Sequence, residues 1–308
     1  MKQIALTATA IVGFAGMAQA DFGPLVTPAE LNDALSADAP VVLDIRGDAY
    51  ADGHIDGAVS APYALFRGPA DNPGQIIPEE QLETTFETLG LSLDRPVVVV
   101  HQGSDQSDFG AAARVYWTLK SSGFTDLAIL NGGASAWDAA GLPTSTEAVT
   151  PDPTDLDITF SYQWTADTDE VAHIVNGDEA AVLVDARPDD FYQGRKSHGA
   201  ASRPGTLPEA EQLVHSSWFA ENSNDIGGVA NVTELKDSLG ITDGEPVVSF
   251  CNTGHWAATN WFALSELAGI ENVKLYPGSM VEYSKTDNRM ANVPGLLKNL
   301  IGQIKGQN

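Results

Sequence analysis

The sequence predicts an α/β protein built from two similar halves, each with a mainly parallel sheet flanked by helices. Short apolar segments, such as 41–45 and 96–100, alternate with segments of helical spacing, and this alternation is typical of parallel strands joined by helices. The same landmarks recur later in the chain in the same order, which indicates an internal duplication.

The elements of the first half follow from local signals. Thr27 and Pro28 precede apolar residues at helical spacing, and Pro78 stands where a helix begins, because the first turn does not need the N–H group that proline lacks. The strands are continuous apolar runs, as expected of strands buried on both faces. Helices are predicted from 27, from 78 and over 109–123, and strands over 41–45, 96–100 and 128–130.

Four landmarks of the first half recur in the second. The strand that leads to Asp44 and Arg46 has a counterpart that leads to Asp185 and Arg187. Because Asp-x-Arg stands at the same place twice, the pair is also expected to tie two loops together. The other matched segments are 53–58 with 205–210, 96–101 with 246–251, and 127–134 with 273–279.

These comparisons divide the chain into five segments. Residues 142–157 contain three prolines and no periodic pattern, which predicts an extended linker. Apolar residues at helical spacing near the end of the chain predict a docking helix: Leu296, Leu297, Leu300, Ile301 and Ile304. The predicted segments are a signal peptide (1–20), a first domain (25–141), the linker (142–157), a second domain (158–290) and a C-terminal tail helix (291–308).

The first twenty residues have the pattern of an export signal. Lys2 gives a positive start, residues 4–17 are apolar, and 18–20 read Ala-Gln-Ala, which is a small-x-small cleavage site. We expect cleavage near Ala20 and a periplasmic mature chain without a membrane span, because the apolar run is too short to be one.

Composition excludes some classes of partner and cofactor. The net charge is −26 with only 16 Lys and Arg, so nucleic acid is not an expected partner, because binding its phosphates needs cations. The six histidines are scattered without the spacing of metal ligands, so neither a metal nor an organic cofactor is expected.

Cys251, the only cysteine, ends a predicted strand and precedes a loop and a helix. A thiolate is stabilised at such a place by N–H groups of the backbone. One alternative is a small buried hydrophobic residue without chemistry. The first half has His101 at this position and a longer loop, 32 residues from His101 to Gly133 against 27 from Cys251 to Gly278. This difference favours one working site and one structural half.

These landmarks resemble the rhodanese family of sulfurtransferases in its tandem arrangement, with an inactive first domain and an active second one. The resemblance covers about residues 25 to 290 and rests on Asp185-x-Arg187, the turns at 53–58 and 205–210, the Cys-x-x-Gly-x-x-Ala loop at 251–257, and Gly-Ser-Met-Val-Glu-Tyr at 278–283. It implies that Cys251 carries sulfane sulfur as a persulfide, from a donor such as thiosulfate or 3-mercaptopyruvate to a thiol, a cyanide-like acceptor or a periplasmic protein.

The residues around Cys251 supply candidate roles. N–H groups of the loop from Asn252 to Ala257 are expected to stabilise a sulfur anion, and Gly254 permits the backbone turn that this needs. Because Asn252 and Thr253 stand where the family often has basic residues, an anionic donor is expected to contact Arg187, or Arg195, Lys196 or Arg203. His255 is predicted to bind the donor or raise the positive potential, or else to lie on the solvent rim. Trp256 is predicted to wall the pocket or to pack between the halves.

Three other classes remain to be weighed. A cysteine phosphatase would need an arginine at position 257 to bind phosphate, and alanine stands there. A thiol–disulfide oxidoreductase would need a second cysteine, supplied here only by a partner. A non-catalytic or sulfur-relay module, with an acidic surface that docks a partner, would still load sulfur on Cys251 but turn over poorly with small acceptors.

Overall fold

The computed structural model describes residues 22–35, 40–228 and 231–295, and within them two similar halves follow each other along the chain. The first half contains β1 (Leu25–Val26), α1 (Pro28–Leu35), β2 (Val41–Asp44), β3 (His54–Ile55), β4 (Val59–Ser60), α2 (Glu79–Thr88), β5 (Val97–Val100), α3 (Phe109–Ser121), β6 (Leu127–Leu130), α4 (Gly133–Ala139) and β7 (Thr144–Ser145). The second contains α5 (Thr168–Asn176), β8 (Val182–Asp185), α6 (Asp189–Tyr192), β9 (Glu211–Gln212), α7 (Val232–Leu239), β10 (Val247–Phe250), α8 (Trp256–Phe262), β11 (Val273–Leu275) and α9 (Ser279–Tyr283).

The predicted α/β class is confirmed. The first half has a parallel sheet in the order β1-β6-β5-β2-β4, and the second has one in the order β11-β10-β8-β9. The central strands β2, β5 and β10 are buried along their whole length, because helices cover both faces of a parallel sheet. Helix α1 begins where expected, with Thr27 and Glu30 accepting each other's backbone N–H.

The duplication extends to pairings that the landmarks do not include. Thr165 forms an isolated parallel bridge to Leu275, in the place where β1 pairs with β6. Thr206 forms an antiparallel bridge to Ala291, in the place where β3 pairs with β7. The two halves therefore share these outer pairings as well as the parallel pairing of their central strands.

The halves pack against each other through α3 and α8. The rings of Phe109 and Tyr116 meet Phe262 edge-on, at centroid distances of 5.4 and 5.1 Å. At the end of this contact Lys120 pairs with Glu266, with 2.7 Å between nitrogen and oxygen. One continuous apolar core contains residues of both halves, so burial of shared surface holds their relative position.

The segment after β7 is extended and lies along α2. Carboxylates of α2 accept hydrogen bonds from alternate backbone N–H groups of this segment: Glu87 from Leu156, Glu83 from Ile158 and Glu79 from Phe160. The predicted linker bounds at 142–157 stay a prediction, and β7 lies inside them.

Two further predictions fall largely beyond the described residues. The signal peptide lies outside them, and so does the tail helix from residue 296 onward, whereas residues 291–295 form no helix. Within the residues that the structure describes, no helix has the length and apolar character needed to cross a membrane.

Candidate active site

Cys251 follows the last residue of β10 and is 1% exposed. Its N–H donates to the hydroxyl of Ser279 at 3.0 Å, and its carbonyl accepts from the N–H of Met280 at 3.1 Å. The strand end and the start of α9 therefore fix the backbone of the cysteine. This placement puts the cysteine directly before the loop that leads to α8.

The loop after Cys251 leaves its N–H groups without acceptors. Within the described part of the chain, the backbone N–H groups of residues 252–256 donate to no protein atom. Gly254 has φ +67°, and a Cβ there would lie 2.5 Å from Nη1 of Arg114 and 2.7 Å from the carbonyl oxygen of Pro277. The turn therefore needs glycine, and it keeps several N–H donors available for an anion.

Two buried residues of the loop face arginines. Asn252 and Thr253 are 6% and 8% exposed. The side-chain oxygen of Asn252 lies 3.4 Å from Nη1 of Arg187, and the carbonyl of Thr253 accepts from Nη2 of Arg67 at 2.9 Å. One arginine comes from each half of the chain.

Arg187 is fully engaged by the protein. It is 1% exposed, and it donates to both carboxylate oxygens of Asp185, at 2.8 and 2.6 Å, and to the carbonyl of Gly205 at 2.9 Å. Such a bidentate, buried pair is directional and strong. The geometry favours the loop-tying role of the Asp-x-Arg pair, and donor contact by Arg187 stays a prediction.

The other basic residues predicted near the donor do not contact the loop in the described hydrogen bonds and ion pairs. Arg195 is exposed and pairs with Asp189 and with Asp190, the latter at 2.9 Å. Lys196 also pairs with Asp190, at 2.9 Å. Arg203 donates to carbonyl groups that follow α9. The structure therefore does not bring these three side chains together with Cys251.

His255 faces the first half rather than a solvent rim. Its Nδ1 lies 3.1 Å from the hydroxyl of Tyr63, and its Nε2 lies 2.9 Å from the carbonyl of Ser107. Burial, followed by repulsion from Arg67, lowers the pKa of His255 to about 4. The ring is therefore neutral at neutral pH, which gives no support to the expected positive potential, and a role of His255 in donor binding stays a prediction.

Trp256 packs between the halves, which is one of its two predicted roles. Its indole N–H donates to the hydroxyl of Ser107 at 2.7 Å. Its ring stacks on His215, with 4.7 Å between centroids and 3° between planes. These contacts explain the position of Trp256, and its other predicted role, lining the sulfur pocket, stays a prediction.

The first half contributes residues that the sequence did not single out. Arg114 is 1% exposed and directs Nη1 toward the carbonyl of Gly254 at 3.5 Å, and Nη2 donates to the carbonyl of Gly74 at 3.0 Å. Burial, followed by repulsion from Arg67, lowers the pKa of Arg114 to about 9, so it is still a cation at neutral pH. Burial raises the pKa of Tyr63, and the charges of Arg67 and Arg114 oppose this rise, so Tyr63 lies close to both arginines.

His101 occupies the place of Cys251 in the first half. Its carbonyl accepts from the N–H of Ala134 at 2.8 Å, as that of Cys251 does from Met280. Both ring nitrogens are buried without partners, and burial lowers its pKa to about 4. This alignment gives 33 residues from His101 to Ala134 against 29 from Cys251 to Met280, so the loops differ by four residues rather than five.

Comparison with known proteins matches both halves of the chain. A family model described as a rhodanese-like domain matches residues 27–140 and 167–286. The chain is 30% identical over 258 residues to the sulfur carrier protein TtuD of Thermus thermophilus, with 79% of this chain and 87% of that protein covered. It is 28% identical over 267 residues to a thiosulfate sulfurtransferase of Pseudomonas aeruginosa, with 85% and 94% covered.

A solved structure shares the whole fold. The Tum1 protein of Saccharomyces cerevisiae superposes with a TM-score of 0.74 at 19% identity, over 88% of this chain and 99% of that one. The family model covers more than half of this chain, in two regions of which one lies in each half. The chain therefore belongs to the rhodanese family and is a sulfurtransferase with two rhodanese-like domains in tandem.

Proposed function

We propose that this protein transfers sulfane sulfur from thiosulfate or 3-mercaptopyruvate to a small thiophilic acceptor, through a persulfide on Cys251, in the bacterial periplasm. The observation that carries the proposal is the loop at Cys251. Its free N–H groups and the adjacent cations Arg67 and Arg114 are suited to a sulfur anion and to an anionic donor.

The reaction needs only the thiolate and these donors. The thiolate attacks the sulfane sulfur of thiosulfate, the new S–S bond forms, and sulfite leaves with the electron pair of the broken S–S bond. With 3-mercaptopyruvate the C–S bond breaks instead, and the enolate that leaves takes a proton to become pyruvate. A thiol or cyanide then attacks the outer sulfur, and the Cys251 thiolate leaves.

The burial of Cys251 bears on the choice of acceptor. With the residue 1% exposed, a small molecule reaches the sulfur more readily than a thiol fixed on another protein. A sulfur relay is the second candidate, because one relative is named a sulfur carrier protein. The two functions differ in turnover: a relay loads sulfur but releases it slowly to cyanide.

The periplasmic location is supported by the sequence alone, through Lys2, the apolar run and the small-x-small site that ends at Ala20. A fusion of residues 1–25 to a reporter enzyme that is active only after export tests it. Export that survives deletion of the apolar run would contradict the proposal.

The mature protein is incubated with each donor and analysed by mass spectrometry. We expect one sulfur atom, about 32 Da, to be added at Cys251 as a persulfide. Cyanide then removes the label and yields thiocyanate, and Cys251→Ser neither gains the mass nor makes thiocyanate. Absence of the label in the folded, reduced protein with both donors would refute the enzymatic proposal.

A further inference from the structure

Arg67 lies beside the loop of Cys251 although it belongs to the other half of the chain. Its Nη2 donates to the carbonyl of Thr253 at 2.9 Å, and its guanidinium carbon lies 5.3 Å from the centroid of the Tyr63 ring. Its Nη1 is buried and has no hydrogen-bond partner. A buried guanidinium N–H without an acceptor is costly, so this atom indicates a place for a ligand.

The charge of Arg67 also lacks a counter-ion. In the described ion pairs a carboxylate neutralises Arg46, Arg187 and Arg195, but none pairs with Arg67 or Arg114. The two arginines are close enough for Arg67 to lower the pKa of Arg114. Two partly desolvated cations beside one loop are stabilised when an anion binds between them.

The positive potential extends to neighbouring histidines. Burial first, and then the charge of Arg67, lower the pKa values of His255 and His198. Both rings are therefore neutral at neutral pH and leave the arginines as the cations of the site. His198 belongs to the second half, so Arg67 lies at the junction of the two halves.

We infer that Arg67 is the specificity-determining residue of this site, and that its Nη1 binds the sulfonate of thiosulfate or the carboxylate of 3-mercaptopyruvate while the sulfane sulfur faces Cys251. This inference rests on the proposed function. Arg114 is fully buried, with its two Nη atoms directed at carbonyl groups, and it positions the loop. The active site of the second half is thus completed by a side chain of the first.

The alternative is a purely structural Arg67 that only joins the halves. Lys285 provides a matched control, because its Nζ donates to the carbonyl of Asp71 and joins the same two halves away from the Cys251 loop. Arg67→Gln and Lys285→Gln each remove one cationic donor across the junction. A structural role predicts similar effects for both variants.

The test compares two thiol reagents on Cys251, the only cysteine. Neutral methyl methanethiosulfonate and anionic 2-sulfonatoethyl methanethiosulfonate both react with the thiolate, which forms the new S–S bond while methanesulfinate leaves with the electron pair. We expect Arg67→Gln to lower the ratio of the anionic to the neutral rate about tenfold, because a charge-assisted hydrogen bond is lost. Lys285→Gln keeps the wild-type ratio, and Arg67→Lys lies between.

Sulfur loading provides the second measurement. We expect Arg67→Gln to raise the KM for thiosulfate about tenfold, and to leave the reaction of preloaded persulfide with cyanide unchanged. If Arg67→Gln does not fold, sulfate is added to the wild-type protein, where it must slow the anionic reagent more than the neutral one. Equal slowing of both reagents would overturn the inference.

The outcomes separate the two proposals. If Arg67→Gln has the wild-type rate ratio, or slows both reagents equally, the role of Arg67 is refuted and the sulfurtransferase proposal stands. If neither donor loads wild-type Cys251 but the rate ratio depends on Arg67, the proposed donors are refuted and anion binding by Arg67 stands.

Discussion

Arg187 of the second half and Arg46 of the first half have matching sets of partners. Each pairs with the aspartate two positions before it, donates to a glycine carbonyl, and directs Nη1 to a side-chain oxygen of the loop after the central strand: Asn252 at 3.4 Å and Gln102 at 3.5 Å. Because the half without a cysteine keeps the same arrangement, a role in the fold is enough to explain it, and donor contact by Arg187 stays a prediction.

We therefore expect Arg187→Gln to act on stability. Loss of the guanidinium leaves the buried Asp185 carboxylate without its counter-ion, which lowers the free energy of unfolding by about 3 kcal/mol. Arg46→Gln, which removes the same pair in the first half, is expected to do the same. Chemical denaturation measures the loss, and the KM for thiosulfate is measured on the folded fraction. A raised KM in Arg187→Gln alone would show that Arg187 contacts the donor.

Tyr63 holds His255 across the junction. Tyr63→Phe removes the hydroxyl that lies 3.1 Å from Nδ1 and leaves that nitrogen without a donor in the interior. We expect the free energy of unfolding to fall by about 1 kcal/mol and persulfide formation to slow, because the loop loses one of its bonds to the first half. Tyr162→Phe is the control, since Tyr162 is 66% exposed. Equal loading rates in both variants would contradict this role.

The strands, the duplication and the position of Cys251 could be predicted because each depends on local pattern. Continuous apolar runs define buried strands, and the repeated Asp-x-Arg and strand-to-cysteine segments locate corresponding sites in both halves. The turn at Gly254 was also predictable, because glycine readily adopts the positive φ that the loop has at this position.

The cations of the site could not be predicted from the sequence. Arg67 and Arg114 meet the loop only because the halves pack on each other, and no local pattern encodes contacts over 186 and 140 positions of the chain. The sequence contains one indirect signal: the loop at 252–257 contains no Lys or Arg, so a cation that binds an anionic donor is expected from another part of the chain. Sequence reasoning looked for it within the second half, at Arg187 and Arg195, and both have carboxylate partners.

The buried His101 makes the protein sensitive to acid. Its pKa is about 4 in the folded state because of burial, against 6.5 in the unfolded chain, so between these values the unfolded state binds a proton that the folded state does not. Stability therefore falls as the pH is lowered from 6.5 to 4, by about 3 kcal/mol from this residue. His255, with a pKa of about 4, adds to the same fall.

His101→Leu tests this account. We expect a smaller loss of stability between pH 6.5 and pH 4, a gain of about 1 kcal/mol at pH 7 because two unpartnered nitrogens are removed, and unchanged thiocyanate formation. Urea denaturation at several pH values measures the first two effects. His173→Gln, at an exposed histidine, should keep the wild-type slope, and a loss of activity in His101→Leu without unfolding would contradict a structural first-half loop.

Gly254 and Gly240 separate backbone strain from crowding at the active loop. Both have positive φ, +67° and +68°, but a Cβ at Gly240 meets no atom within 4 Å, whereas one at Gly254 meets Nη1 of Arg114 at 2.5 Å. Alanine costs about 1 kcal/mol of stability at either position through strain. Only Gly254→Ala also displaces Arg114 or the loop, so we expect it to slow sulfur loading of Cys251 more than about tenfold, because small displacements of reacting groups lower rates steeply. Loading is followed by mass spectrometry on folded protein, and equal rates in the two variants would show that the loop tolerates the displacement.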